Sequence, residues 1–151
     1  MADRQEEELE LLGVNVKLTG KVMPNGQIRS RVKFKDVTIN RSQFAAAGWE
    51  EAHFHKGLSE TYVVISGRMA IAFNKPHEPR IYVFDPGQAI TVRAGESHNV
   101  YGYAGTVISV TVHGVPVGNP DKGGNDWWES SSTFDQWTKS VTEQQLKDGT
   151  W

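Results

Sequence analysis

Three histidines and one glutamate are spaced along the middle of this 151-residue chain so that they could bind one metal ion. The segment His53-Phe54-His55 places two imidazoles two residues apart, and side chains at positions i and i+2 of a β-strand point to the same face. Glu60 follows after a short turn, and His98 follows a second segment that is punctuated by turn residues. Three neutral imidazoles and one carboxylate are a suitable ligand set for a divalent transition metal.

The predicted ligand set is typical of a reactive site rather than a structural one. A structural zinc site is normally closed by four tetrahedral ligands, and this chain has no cysteine to supply thiolates. Four protein ligands on one side of an octahedral ion would leave two adjacent positions for water, oxygen or a bidentate substrate. We therefore predict one divalent transition metal ion as cofactor, and Fe, Mn, Ni, Co, Zn and Cu are all compatible with these ligands.

The composition argues against several functional classes. Acidic and basic residues nearly balance, with a formal net charge of -2. The sequence has no basic stripe of the kind that would indicate binding to nucleic acid. The sequence also lacks a basic amphipathic stretch and a long apolar run, the two features that would indicate an interaction with a membrane. Residues 1–8 are acidic and polar, unlike a signal peptide, which favours a cytoplasmic location.

The segments that carry the candidate ligands are predicted to be short β-strands. The 15 glycines and six prolines divide the chain into short segments, as in a β-sandwich or barrel. Residues 3–12 could form a short helix or a frayed arm, and residues 14–18 alternate as a half-buried strand should. Residues 31–39 alternate again and are predicted to form one strand. Residues 49–55 and 60–66 are predicted to form the strand pair that carries the first three ligands.

Two segments around the candidate ligands resemble the paired sequence motifs of the cupin superfamily. Residues 48–67 match the first motif, in which a glycine precedes His-x-His, a glutamate and a final glycine. Residues 87–102 match the second motif, in which a glycine precedes a Pro-x-Gly turn, a histidine and an asparagine. The spacing before His53 is one residue short, and Arg93 and Gly102 stand at the proline and asparagine positions. None of these departures affects a metal ligand of the family.

The resemblance implies an all-β fold, a cupin-like barrel of the jelly-roll type with its metal ion inside one end. It covers residues 48–102 closely and, through the strand pattern, about 30–113. We therefore expect N-terminal strand additions to the barrel and a C-terminal extension beyond it. The predicted divisions of the chain are an N-terminal arm and hairpin strand at 1–29, the barrel at 30–114 and the C-terminal extension at 115–151.

The C-terminal extension is rich in aromatic residues and is predicted to be partly helical. Its rings would form a large apolar patch if they were exposed to solvent. We therefore expect the extension to pack over the barrel or against a second subunit, and a homodimer is the expected assembly. The aromatic residues of the extension are Trp127, Trp128, Phe134, Trp137 and Trp151.

Two residues near the ligands are candidates for catalytic roles. Tyr62 lies two residues beyond Glu60, so it should face the same way and could reach a bound substrate, or it could be a core tyrosine with its hydroxyl at the rim. His113 ends a predicted strand and could act as an acid or base if that face of the strand lines the cavity. The alternative for His113 is a solvated strand end.

Three further residues are candidates for substrate binding. Arg68 and Arg93 could pair with a substrate carboxylate, since the guanidinium fork matches carboxylate geometry. Either arginine could equally be an ordinary surface residue. Trp49 falls in the same strand phase as the two histidines of the first motif, so it could form part of the cavity wall.

The ligand set favours a metal-dependent enzyme that acts on a small molecule with oxygen donors. Two free coordination positions beside three imidazoles suit a redox metal, which favours an oxidoreductase of the dioxygenase type. An isomerase or epimerase for a sugar or nucleotide sugar remains an alternative. A third alternative is a non-catalytic module that binds a small ligand inside the barrel, since the fold by itself does not choose among these functions.

Overall fold

The computed structural model describes residues 7–11, 14–18, 21–34 and 36–151. The described residues are mainly β-strands, followed by two short helices, which confirms the prediction of an all-β fold with a partly helical extension. The strands are β1 (Glu7–Leu11), β2 (Val14–Leu18), β3 (Lys21–Val22), β4 (Ile28–Phe34), β5 (Val37–Gln43), β6 (Gly48–Trp49), β7 (His53–Phe54), β8 (Leu58–Ser66), β9 (Met69–Phe73), β10 (Arg80–Phe84), β11 (Ala89–Val92), β12 (His98–Gly102), β13 (Val107–Gly114) and β14 (Trp128–Glu129), and the helices are α1 (Ser132–Ser140) and α2 (Glu143–Asp148).

Two six-stranded antiparallel sheets form the body of the protein. The first sheet has the strand order β11-β8-β13-β5-β4-β3. The second sheet has the order β10-β9-β12-β7-β14, and β6 also pairs with β12. The strands β1 and β2 form a separate antiparallel pair, and β2 contacts β4.

Apolar side chains from both sheets fill the space between them. Ile71 of β9 and Val100 of β12 are fully buried and belong to one apolar cluster with the inward-facing residues Tyr62 and Val64 of β8. Because side chains alternate along a strand, Glu60 shares the inner face of β8 with Tyr62 and Val64. The polar site therefore begins where this apolar core ends, at one end of the barrel.

The C-terminal extension packs on the outer face of the second sheet. Its residues Phe134, Val141 and Leu146 are only 3–5% exposed and join a second apolar cluster with Ala70 and Ala72 of β9. All five residues of β9 are consequently buried, since one face meets the barrel core and the other meets the extension.

Both helices of the extension begin and end with local capping groups. The Ser131 side chain accepts the backbone N–H of Phe134 at the start of α1. Thr142 and Gln145 form a capping box at the start of α2, and Gly149 ends α2 with a φ angle of 67°. None of the helices in the described part of the chain is long and apolar enough to span a membrane.

Two predictions of local structure differ from what the structure shows. The described part of residues 3–12 is the strand Glu7–Leu11, and the rest of that segment lies outside the described residues. Residues 31–39 form parts of two strands rather than one, because β4 and β5 are antiparallel with Phe34 opposite Val37. The apolar positions change phase at this point, from Val32 and Phe34 to Val37 and Ile39, so the alternation itself carried a signal of the strand break that the one-strand prediction overlooked.

The predicted pairing of residues 49–55 with residues 60–66 is wrong. The strand β7 belongs to the second sheet, where His53 lies opposite His98, whereas β8 belongs to the first sheet. Residues 55–57 therefore carry the chain from one sheet to the other. As a result, the candidate ligands approach one another from both sheets.

Candidate metal centre

The four predicted metal ligands lie together at one end of the barrel core. One ligand atom from each of His53, His55, Glu60 and His98 lies within 4.8 Å of all the others. His98 is fully buried and His53 is 7% exposed, and the side chains of His55 and Glu60 are each 11% exposed. This cluster could hold a metal ion.

The three imidazole rings of the cluster are oriented by hydrogen bonds from their Nδ1 atoms. His53 and His98 each donate to the carbonyl oxygen two residues earlier, at 2.8 and 2.9 Å. His55 donates its Nδ1 proton to the carbonyl oxygen of Asp126. Because a carbonyl oxygen can only accept, each Nδ1 carries a proton, and Nε2 is the ring nitrogen that would bind a metal. An ion bound there would displace the proton that Nε2 of His55 donates to Glu60 in the metal-free protein. The donor set therefore fits a divalent transition metal ion.

Glu60 accepts several hydrogen bonds at the centre of the cluster. Its Oε1 atom lies 2.8 Å from Nε2 of His55 and 3.3 Å from Nε2 of His98. The Tyr62 hydroxyl donates to the same oxygen at 3.0 Å and lies 3.4 Å from Nε2 of His98. The structure thus brings the predicted catalytic residue Tyr62 to the four candidate ligands.

Burial and hydrogen bonding shift the pKa values of the cluster in different directions. Burial alone would raise the pKa of Glu60, but hydrogen bonds from His55 and His98 hold it well below its usual range. Burial alone would lower the pKa of His55, but its hydrogen bond to Glu60 and the charge of that carboxylate raise it. Burial and the nearby His98 lower the pKa of His53 to about 3. At neutral pH Glu60 is negatively charged and His53 is neutral, and these are the forms that bind metals.

Replacing Tyr62 with phenylalanine should lower the free energy of unfolding of the metal-free protein by about 1.5–3 kcal/mol, the range for hydrogen bonds to charged groups. The substitution keeps the buried ring and removes only the hydroxyl that donates to Glu60. Urea unfolding followed by circular dichroism measures the change. The matched control is Tyr82→Phe, because Tyr82 is 45% exposed. Equal effects of the two substitutions would show that the hydroxyl of Tyr62 does not stabilise the carboxylate.

Three other predicted site residues lie away from the cluster. Arg68 follows the end of β8 that is remote from the cluster, and its Nε donates to Asp85 at 2.8 Å. Arg93 is exposed in the turn between β11 and β12. His113 lies on the outer face of β13, where its Nε2 is 3.5 Å from the hydroxyl of Thr61. The structure therefore brings none of the three to the candidate ligands.

Trp49 points away from the barrel interior. Its indole N–H donates to a backbone carbonyl of the C-terminal extension at 3.0 Å, and its ring contacts Tyr101 edge-on with centroids 5.3 Å apart. Strand phase does not carry from Trp49 to His53, because β6 ends at Trp49 and residues 50–52 are not a strand. The prediction that Trp49 shares the face of the first two ligands is therefore wrong.

A second set of polar side chains, which sequence reasoning missed, lies inside the barrel. Gln27 donates to Oε1 of Glu50 at 2.5 Å, and Arg29 donates to Oε1 of Gln27 and to Oγ of Ser42, each at 3.3 Å. Gln27 and Ser42 are each 2% exposed, whereas Ile28 is 42% exposed. Ile28 is the apolar residue of this segment and would be expected to face inward, so no pattern pointed to Gln27 or Arg29. We call Gln27, Arg29, Ser42 and Glu50 the inner polar group.

The inner polar group and the metal-ligand cluster interact electrostatically. Burial raises the pKa of Glu50, the Gln27 hydrogen bond and the charge of Arg29 oppose that rise, and the charge of Glu60 adds to it. Burial and the charges of Glu60 and Glu50 together raise the pKa of Tyr62 well above its usual range. Tyr62 is therefore within electrostatic reach of both carboxylates.

Two residues of the C-terminal extension also contact the cluster, and sequence reasoning missed their role. Asp126 accepts the hydrogen bond from His55, and the Trp127 ring stacks on His53 with centroids 5.3 Å apart and planes 20° apart. Both residues lie about 70 positions after the histidines that they contact. Nothing in the motif spacing indicates this contact, which arises because β14 pairs with β7.

Comparison with solved structures identifies the architecture. Oxalate oxidase superposes with a TM-score of 0.52 and 18% identity, covering 61% of this chain and 53% of the other chain. An RmlC-like cupin from Shewanella frigidimarina has a TM-score of 0.53 and 17% identity, covering 62% of this chain and 80% of the other. The protein CapF has a TM-score of 0.56 and 16% identity, covering 71% and 32%. The chain thus spans about half of oxalate oxidase and about a third of CapF.

No protein-family model and no curated protein matches the sequence. Structural similarity at 16–18% identity shows the fold and does not by itself show the activity. The similar structures include a further cupin-superfamily protein from Desulfitobacterium hafniense, with a TM-score of 0.51, 17% identity and coverage of 63% and 83%. The fold predicted from the two motifs is confirmed, and the chain has the cupin fold.

Proposed function

We propose that this protein is a metal-dependent enzyme that binds one divalent transition metal ion through His53, His55, Glu60 and His98. The convergence of one ligand atom from each residue within 4.8 Å carries the proposal. The Nδ1 hydrogen bonds add support, because metal-binding histidines almost always donate their second ring nitrogen to a carbonyl, a carboxylate or water. A bound ion would supply Lewis acidity and, if the ion is redox-active, electron transfer.

The substrate that we propose is a small polar molecule with oxygen donors. The inner polar group supplies hydrogen-bond donors and acceptors inside the barrel, where Ser42 lies opposite the buried core residue Ile108. The Tyr62 hydroxyl is close to Glu60 and His98 and could donate a hydrogen bond to an oxygen of the substrate. The hydrogen bonds among these side chains fix their positions, and Arg29 keeps further N–H donors that could orient a ligand.

Among metal-dependent reactions we favour an oxidoreductase of the dioxygenase type. Imidazole and carboxylate ligands suit iron, manganese and copper, which can change oxidation state. Oxalate oxidase, which has a similar fold, acts on oxalate as its name states, and oxalate is a small molecule rich in oxygen donors. Both points agree with oxidation of a small oxygen-bearing compound.

A sugar isomerase or epimerase is the second candidate, and one observation favours it. The Tyr62 hydroxyl lies 3.0 Å from Oε1 of Glu60 and 3.4 Å from Nε2 of His98. These three groups could move a proton by acid–base catalysis without a metal ion. Turnover that persists without oxygen and after removal of metal by a chelator would identify this candidate, whereas tight ligand binding without turnover would identify a binding module.

Elemental analysis of protein purified without added metal tests the proposed function. We expect close to one transition metal ion per chain, and iron together with substrate-dependent oxygen uptake would support the oxidoreductase. Protein purified from cells grown in several media should then be freed of metal with a chelator and reloaded with Fe²⁺, Mn²⁺, Ni²⁺, Co²⁺, Zn²⁺ or Cu²⁺. The proposal is wrong if the wild-type protein contains no metal from any growth condition and takes up none of these ions.

A further inference from the structure

We propose that Asp126 and Trp127 of the C-terminal extension are positioning residues of the metal centre. Asp126 holds the ring of His55, and Trp127 holds the ring of His53. Both residues lie outside the two sequence motifs, so the barrel would depend on the extension for the geometry of half of its ligands. The inference rests on the proposed function, because it concerns the side chains proposed to bind the metal.

The strand that carries the first ligand is too short to fix two imidazoles by itself. β7 spans only His53 and Phe54, and its pairing with β12 is at the single position where His53 faces His98. His55 already lies beyond the end of β7. The extension supplies the missing neighbour, since β14 pairs with the other side of β7 and places Trp128 opposite Phe54.

The Asp126 carboxylate ties the extension to the turn that follows His55. It accepts the three consecutive backbone N–H groups of residues 56–58, at 2.8, 2.8 and 3.1 Å. It also accepts the N–H of Val117 at 3.0 Å and the indole N–H of Trp128 at 3.1 Å. Hydrogen bonds to a charged acceptor are the stronger kind. These five bonds hold the backbone of Asp126, whose carbonyl oxygen accepts the Nδ1 proton of His55.

The backbone of the same turn packs directly against the backbone at the start of the extension. A Cβ atom added at Gly57 would overlap the carbonyl oxygen of Val115, and one added at Gly114 would crowd the carbonyl oxygen of Gly57. The backbones of residues 114–115 and residue 57 are therefore in direct contact. The extension and the turn between His55 and Glu60 consequently form one packed unit.

Trp127 restrains His53 from a different direction. The indole and imidazole planes are 20° apart with centroids 5.3 Å apart, so the tryptophan covers one face of the histidine ring. The Nδ1 hydrogen bond of His53 restrains the ring at its edge. With its edge and one face both held, His53 keeps Nε2 directed at Glu60 and His98.

A titration of the stripped full-length protein with Co²⁺ tests the proposal, because the visible spectrum of Co²⁺ reports ligand geometry. We expect Trp127→Ala and Asp126→Asn to weaken Co²⁺ binding by roughly 10–100-fold, the usual effect of losing a group that orients a metal ligand. Both should also change the shape of the spectrum. Trp127→Phe, which keeps a flat ring, should recover most of the affinity. Trp151→Ala is the matched control and should behave like the wild type, since Trp151 is 42% exposed.

A second measurement on the metal-free protein keeps this proposal separate from the proposed function. The ¹⁵N chemical shifts of the imidazole rings should show protonated Nδ1 atoms on His53 and His55 in the wild type. Asp126→Asn should disturb the shifts of His55, and Trp127→Leu, a smaller loss of apolar volume than Trp127→Ala, should disturb those of His53. Failure of the wild type to bind metal would contradict the proposed function only. Ring shifts that match the wild type in both variants would overturn the positioning role.

Discussion

Replacement of Glu60 by glutamine should weaken metal binding at least roughly 100-fold, because loss of an orienting group alone costs 10–100-fold and Glu60 is a direct ligand. Glu60 is the one anionic side chain in the four-residue cluster. Its carboxylate offsets part of the charge of a divalent ion, whereas the amide oxygen of glutamine is neutral and has only half of the oxygen donors. Glutamine has nearly the same shape, so the affinity change reports chemistry rather than lost packing. Isothermal titration of stripped protein with Co²⁺ or Zn²⁺ measures it.

Two further variants make the result on Glu60 interpretable. Glu78→Gln carries the same substitution in an exposed loop and should bind metal like the wild type. His53→Ala removes a ligand from the opposite sheet and should also weaken metal binding strongly. Wild-type affinity in a correctly folded Glu60→Gln protein would show that the ion binds somewhere else on the chain.

Replacement of Phe134 by alanine should lower the free energy of unfolding by about 3–5 kcal/mol, the usual range for a phenylalanine truncated in a core. Phe134 is 3% exposed and stacks on Trp137 with centroids 6.0 Å apart. It belongs to the apolar cluster that joins the C-terminal extension to β9. Urea unfolding followed by tryptophan fluorescence and circular dichroism measures the change. Because total stability is commonly about 5–15 kcal/mol, this one substitution would remove a large share of it.

The control for Phe134 lies in the same extension. Val115 is 80% exposed, so Val115→Ala should change the free energy of unfolding by no more than about 0.5 kcal/mol. Similar small effects of both substitutions would contradict packing of the extension on the barrel in solution.

Sedimentation of the wild-type protein measures the predicted homodimer, and a monomeric wild type would contradict that prediction.

The chemistry of the site was largely predictable from local sequence. His53, His55, Glu60 and His98 were identified from their spacing, and Tyr62 from its strand phase relative to Glu60. Phase is reliable over these two residues because both lie within the unbroken strand β8. It failed at Trp49 because three residues that are not a strand separate it from His53.

Strand pairing, in contrast, was decided only in three dimensions. The segments around His53 and Glu60 are neighbours in sequence and looked like a hairpin, yet they belong to different sheets. The inner position of Gln27 and Arg29 was equally hidden, because Ile28, the apolar residue between them, is the one that is left 42% exposed. Which face of a strand is buried depends on what packs against it, and no local pattern contains that information.

The sequence by itself determined the β fold and the four side chains that could bind a metal ion, because alternation and ligand spacing are local properties of the chain. Only the tertiary structure showed that those side chains meet across two sheets and that Asp126 and Trp127 contact two of their rings. The long-range pairing of β14 with β7 brings together residues about 70 positions apart. Contacts at that separation depend on the packing of the whole barrel and extension, so spacing within a motif does not reveal them.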